Sequence, residues 1–280
     1  MKTIAIASRL TFTLAVVSFA GTVSAQLYIN GPLDSGPITD SGTVAPSGFS
    51  WSEVQHDDGV LTEANTLSGV SMSVTTTTIF RGADDFIVPA GQAWTLTGAV
   101  LFTYQTGYAG TISPVTDYTL RIWDGIPDDP GSNIICGDET TNVLVSSTSS
   151  GLYRVFNSVA PPPGSTAATN RLVWRSKVAI PAACGNPGQF TPGTYWLDWN
   201  STIALAAAHF DPPVTVVGAR NRPGDNARQR IAGGVWQAVI DVGNPDLTAA
   251  DLPVDFPFQL LGFDESDGIF RDGFDPSAPD

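Results

Sequence analysis

Pro89-Ala90-Gly91-Gln92, followed after Ala93 by Trp94–Tyr104 (WTLTGAVLFTY), decides the fold class. Proline and glycine supply the backbone angles of a turn. The run behind them is rich in β-branched and aromatic residues, and Trp94, Leu96, Gly98, Val100, Phe102 and Tyr104 fall on one parity. Side chains alternate across a strand, so this set is expected to line one face. Gly98 interrupts the face and marks a bend.

The same grammar repeats outward from this strand. Residues 71–80 (SMSVTTTTIF), 115–123, 143–147, 152–156, 172–180, 195–199, 214–217, 235–240 and 258–261 read as strands separated by turn residues. In 115–123, Tyr118, Leu120 and Ile122 oppose Thr119, Arg121 and Trp123. Leu27, Tyr28 and Ile29 make a short first strand. Helical periodicity is nearly absent, and residues 203–209 are the local exception, with a composition suited to a turn or two of helix. The pattern predicts an all-β chain, a β-sandwich or jelly roll with long N-terminal loops and an acidic C-terminal tail. The expected divisions are a signal at 1–25, a strand-and-loop segment at 26–70, the β-sandwich domain at 71–262 and the tail at 263–280.

Residues 1–25 read as an export signal. Lys2 and Arg9 make the start positive, residues 10–20 are mostly apolar, and Val23-Ser24-Ala25 offers small residues for cleavage. The apolar run is short for a membrane span, and no longer one follows, so the mature chain is expected to carry no transmembrane anchor. Cleavage after Ala25 removes two of the 13 basic residues and moves the formal net charge from −14 to −16. Such a chain is poorly matched to a phosphate backbone, and nucleic acid is not expected as a partner. Cations, neutral glycans and surface polymers suit it better. In an oxidising compartment, Cys136 and Cys184 predict a disulfide; two separate buried thiols are the plain alternative.

Three constellations carry candidate chemistry. In 195–200 (YWLDWN), Tyr195, Leu197 and Trp199 take one face of a strand. Trp196, Asp198 and Asn200 take the other, placing an aromatic beside two hydrogen-bonding groups, a combination suited to a sugar ring. The turn after Trp123 offers Asp124, Asp128 and Asp129 as oxygen ligands for calcium; the alternative is a turn whose carboxylates cap backbone amides. No cofactor is required on this reading, and calcium is the one the acidic turns can accommodate. Third, His56-Asp57-Asp58 groups a titratable base with two carboxylates, with an exposed loop histidine as the alternative. Glu53, Glu63, Glu139 and Asp198 are nominal acid–base residues for a glycosidase. Neither a G-x-S-x-G elbow nor an H-E-x-x-H motif occurs. Residues 219–230 (ARNRPGDNARQR) concentrate the basic side chains; neutralising the chain's own acidic loops is the economical reading, and a carboxylated ligand the other.

Several segments together carry a resemblance: DFIVPAGQAWTLTGAVLFTYQTG, YTLRIWDGIPDDPGSNIICGDETTN, GLYRVFN, GTYWLDW and the terminal DGIFRDGFD. The chain resembles poorly characterised secreted β-sandwich proteins of environmental Gram-negative bacteria over most of residues 71–262. Its ending resembles that of exported proteins of Xanthomonas- and Lysobacter-type bacteria, with Asp275 where those endings often have Glu. The resemblance implies a secreted or outer-surface location and a β-sandwich, and it supplies no catalytic residue. The leading expectation is a secreted noncatalytic structural or binding protein that meets an extracellular glycan or surface component. The competing one is an extracellular hydrolase acting on a glycan or other polymer.

Overall fold

Alternating burial along β-prone runs organises the chain into strands, and no α-helix occurs among the described residues. The computed structural model describes residues 24–266 except 76–77, 160–163, 165, 182–183, 186–187 and 205–206. The expected export signal up to residue 23, the three prolines at 161–163 and the expected tail beyond 266 lie outside the described residues. The strands are β1 (Ala25–Asn30), β2 (Ser50–Glu53), β3 (His56–Asp57), β4 (Val60–Ala64), β5 (Val70–Thr75) and β6 (Thr78–Val88). They continue with β7 (Trp94–Tyr104), β8 (Val115–Trp123), β9 (Ile134–Gly137), β10 (Leu144–Val155), β11 (Leu172–Ala179) and β12 (Gly193–Ile203). The last are β13 (His209–Asp211), β14 (Arg228–Ile231), β15 (Trp236–Ala238), β16 (Ile240–Asp241), β17 (Leu252–Pro253) and β18 (Phe258–Asp264).

One large sheet runs β2-β10-β11-β7-β13-β5-β6-β12-β8-β9, and two small ladders, β16-β17 and β3-β4, stand apart from it. β2 and β10 are parallel, and the other ladders are antiparallel. The sheet curls through β6, whose first residues pair with β5 while its later ones pair with β12 and β14. β18 pairs with β7 and carries β1 on its other edge. The result is an all-β, sandwich-like arrangement around a common core. Leu96, Leu101, Val178, Phe258 and Leu260 meet Phe86, Val88, Leu120, Ile122, Leu197 and Trp199 there. Each such side chain contributes roughly 1.5–3 kcal/mol on burial.

The strand at 94–104 forms where its sequence predicts, but its faces switch midway. Trp94 and Leu96 join the main core, and so do Ala99 and Leu101, which have the opposite parity. The pairing with β18 shifts register between Leu261 and Gly262, so an extra residue near Thr97 turns the rest of the strand over. Tyr104 then packs with Leu33, Leu152 and Val173 on the far side. Gly98 is required because a Cβ there would lie 2.6 Å from the Val178 carbonyl oxygen of β11. Other departures follow the same logic. Residues 71–80 fall into two strands, with Thr75 opposite Thr78, although they contain no Gly, Pro, Asn or Asp to announce a turn. Residues 143–147 and 152–156 form one strand, β10, continuous through a left-handed Gly151. The helical turn expected at 203–209 does not form at the described positions, because Ile203 ends β12 and His209 opens β13.

Cys136 of β9 and Cys184 form the predicted disulfide, S–S 2.04 Å, joining an edge strand to the loop before Phe190. Phe190 bridges Trp94 through two backbone hydrogen bonds.

Candidate functional site

β12 sorts its side chains as the alternation requires. Leu197 and Trp199 enter the main core with Tyr195 packed against it, whereas Trp196 joins a separate cluster with Ala83, Trp123 and Trp236. Strand register builds the second face. Arg121 lies opposite Asp198, Asp198 opposite Ala83, and Ala83 opposite Arg228, so one row crosses β8, β12, β6 and β14. Beside it, Arg81 stands opposite Arg230, and Arg230 opposite Trp236.

That face is filled by its own charges. Asp198 is 0 % exposed and accepts hydrogen bonds from Arg81 Nε (2.5 Å), Arg121 Nε (2.7 Å) and Trp123 Nε1 (3.0 Å). Arg121 also contacts Glu139 at 2.6 Å, and Glu139 accepts a 2.5 Å bond from Arg230 Nη2. Burial pulls the Arg81 guanidinium below its ordinary value, partly offset by the Asp198 charge. Burial alone would raise the Glu139 carboxyl, but the Arg230 hydrogen bond and the charges of Arg121 and Arg230 hold it below. Asn200 donates to the Met72 and Phe80 carbonyl oxygens. The three residues expected to meet a sugar, Trp196, Asp198 and Asn200, thus share one face and are all buried in it.

An open cleft lies beside the disulfide. Its volume is about 510 Å³, and it is lined by Asp124, Asn133, Ile135, Gly185, Gln189, Phe190, Thr191 and Tyr195. Phe190 packs edge-on to Tyr195 at 5.1 Å, and the Tyr195 hydroxyl donates to the Thr191 carbonyl oxygen. The lining combines an aromatic floor, two amides and a hydroxyl. Asp124 reaches this cleft, while Asp128 and Asp129 stand exposed in the turn beyond it. Asp124 accepts from the Asn133 backbone amide (2.6 Å) and side chain (3.1 Å), as an amide-capping carboxylate does. Among the described residues, no group of three or more His, Cys, Asp or Glu side chains is arranged to hold a metal ion.

The remaining acid–base groups are held in structural contacts. His56 lies between Asp58 (2.9 Å) and Asp40 (3.4 Å) and is nearly buried. Glu53 is buried, and its carboxylate accepts the backbone amides of Asp40 and Ser158; burial raises its pKa, and those hydrogen bonds oppose the rise. Glu63 stands 3.5 Å from Arg220, which also binds Asp241. Ser201 Oγ meets His209 Nε2 at 2.9 Å inside the core, but Asp211 accepts from Trp199 Nε1 at 2.6 Å instead of joining them. Burial pushes Asp211 up to about 7 and His209 down.

Alternation in the sequence places Arg121 with Trp123 on one strand face, but no local signal points to Arg81, Glu139 and Trp236 as their partners. A buried aspartate in a strand needs cations on its neighbours, and the alternation in β8 already placed one there. The cleft residues Gln189 and Thr191 carried no signal, being ordinary polar residues of a loop. Among the described residues no helix is long and apolar enough to cross a membrane. Comparison of the chain with known protein families, with curated proteins and with solved structures finds no match.

Proposed function

We propose that this chain is a secreted, noncatalytic binding protein, surface-associated in its setting, that holds a neutral extracellular glycan in the cleft beside its disulfide. The cleft lining carries this reading: half-buried Tyr195 and Ile135 offer apolar surface, Gln189 and Thr191 offer uncharged donors and acceptors, and the one carboxylate there, Asp124, is engaged by Asn133. The scaffold reads as a jelly-roll type of β-sandwich. The signal-like residues 1–25 and the resemblance to secreted β-sandwich proteins support the location.

The hydrolase reading needs two carboxylates with a glycosidic bond between them. Asp198 and Glu139 do approach a common group, but that group is Arg121, which contacts both at 2.6 Å. The guanidinium fills the space a substrate would need, and this favours binding over turnover. Calcium at the 124–129 turn would compete with the caps that Asp124 already supplies. A panel of neutral and charged glycans, screened for capture and then for cleavage products, tests the proposal. Saturable capture of a neutral glycan with the glycan recovered intact is expected. Capture of none, or release of shortened products, would overturn it.

A further inference from the structure

The Arg and Trp face is electrostatically unbalanced. Arg81, Arg121 and Arg230 share two carboxylates, those of Asp198 and Glu139. Arg228 adds a fourth guanidinium, and among the described residues it makes no ion pair and no hydrogen bond. It lies over the Trp196 ring, 6.0 Å from the centroid. This local cationic excess sits on a chain whose formal net charge is −14.

Geometry makes the excess usable. Arg228 and Arg230 are alternate residues of β14 and so project from the same face, about 7 Å apart along the strand. Both are partly exposed. Arg230 spends one nitrogen on Glu139 and lies over the Trp236 ring at 5.6 Å. Each guanidinium has five N–H donors, and most of those on Arg228 and Arg230 are uncommitted. Each guanidinium lies over an indole ring, and that cation–π contact restrains the side chain and lowers the ordering cost of engaging an acceptor. The matched acceptor is a planar carboxylate taking two parallel hydrogen bonds. An extended polyanion would be repelled by the rest of this acidic chain, so a single charge fits better.

We propose that Arg228 and Arg230 form a subsite for the carboxylate of a small, singly charged organic ligand, separate from the cleft beside the disulfide. A ligand-observed NMR titration with glucuronate tests it, with glucose as the uncharged counterpart and acetate as the bare carboxylate. It is run on the parent chain and on a Gln189→Ala, Thr191→Ala background in which the cleft beside the disulfide does not contribute and on which the glucose comparison is read. Glucuronate is expected to saturate, glucose to give no response, and acetate to displace glucuronate. Arg228→Gln is expected to weaken glucuronate at least about tenfold, and Arg228→Lys, which keeps the charge but loses the fork, to fall between. Arg175→Gln, an exposed change on β11, is expected to leave affinity unchanged, and unfolding curves check that each variant folds. The proposal is overturned if saturation is absent up to about 50 mM, if glucose binds as well as glucuronate, if acetate does not compete, or if Arg228→Gln binds like the parent chain. Competition by acetate would assign recognition to the carboxylate itself, and any added affinity of glucuronate to its sugar ring.

Discussion

Asp198 is the residue on which the outer face of β12 depends. Its carboxylate is fully buried and neutralises Arg81 and Arg121 together, with Trp123 supplying a further donor. Removing one member of a buried ion cluster costs far more than the cluster's net worth, because the remaining charges stay desolvated. Asp198→Asn keeps the shape but leaves two guanidiniums without their shared counter-charge. It is expected to destabilise the chain by about 3–5 kcal/mol, read as a lower urea midpoint at unchanged slope. A loss below about 1 kcal/mol would mean that water, not Asp198, satisfies these arginines. The aspartate could be placed on this strand face from sequence, because Leu197 and Trp199 fix the parity of its neighbours. Its burial could not, since Glu139 lies outside β12 and β8 and Arg81 on β6, more than a hundred positions before Asp198.

At the scale of elements, the two cysteines hold edge strand β9 against the loop that shapes the cleft. Their separation is 48 residues. In the chain-entropy account, such a loop contributes about 4 kcal/mol by restricting the unfolded chain. Replacing both cysteines with serine is expected to lower the melting temperature markedly, and reductant to lower it in the parent chain alone. Equal melting of the two proteins would contradict this role. The disulfide and the strands β7 and β8 were legible because their signals are local: cysteine parity and export context for one, alternation between turn residues for the others. The face switch within β7 was not, because it depends on the register with β18, which arrives from the far end of the chain. The division of 71–80 into β5 and β6 was hidden for the opposite reason, since the run contains no Gly, Pro, Asn or Asp to mark it. The cleft was the least legible, because it exists only where the β8–β9 loop and the loop before Phe190 come together.

Across the whole molecule, buried carboxyls set an unusual pH response. Burial and the neighbouring Asp255 raise Asp84 well above the ordinary aspartate range. Burial lifts Asp211 to about 7, and burial together with Asp255 lifts Asp225 to about 6 against the pull of Arg222. These groups hold protons in the folded chain that the unfolded chain releases near pH 4. Their stabilising contribution is therefore small above pH 7, grows as the pH falls through about 7 and 6, and is complete below about 4. Glu139 runs the other way, contributing at neutral pH and losing that contribution in acid. Urea unfolding from pH 8 to pH 3 is expected to show maximal stability near pH 5, not near pH 8; a steady fall from pH 8 downward would contradict these assignments. On the proposed reading, function rests on an all-β frame that commits its acid–base groups to structure and leaves open a cleft whose one lining carboxylate, Asp124, is engaged by Asn133. The most direct test is one NMR titration of the best-captured neutral oligosaccharide into the parent chain and into a Gln189→Ala, Thr191→Ala variant, followed over days. Saturation by the parent chain, at least about tenfold weaker binding by the variant, and an oligosaccharide that stays intact are expected. New reducing-end signals, or equal affinity for the two proteins, would contradict the proposal.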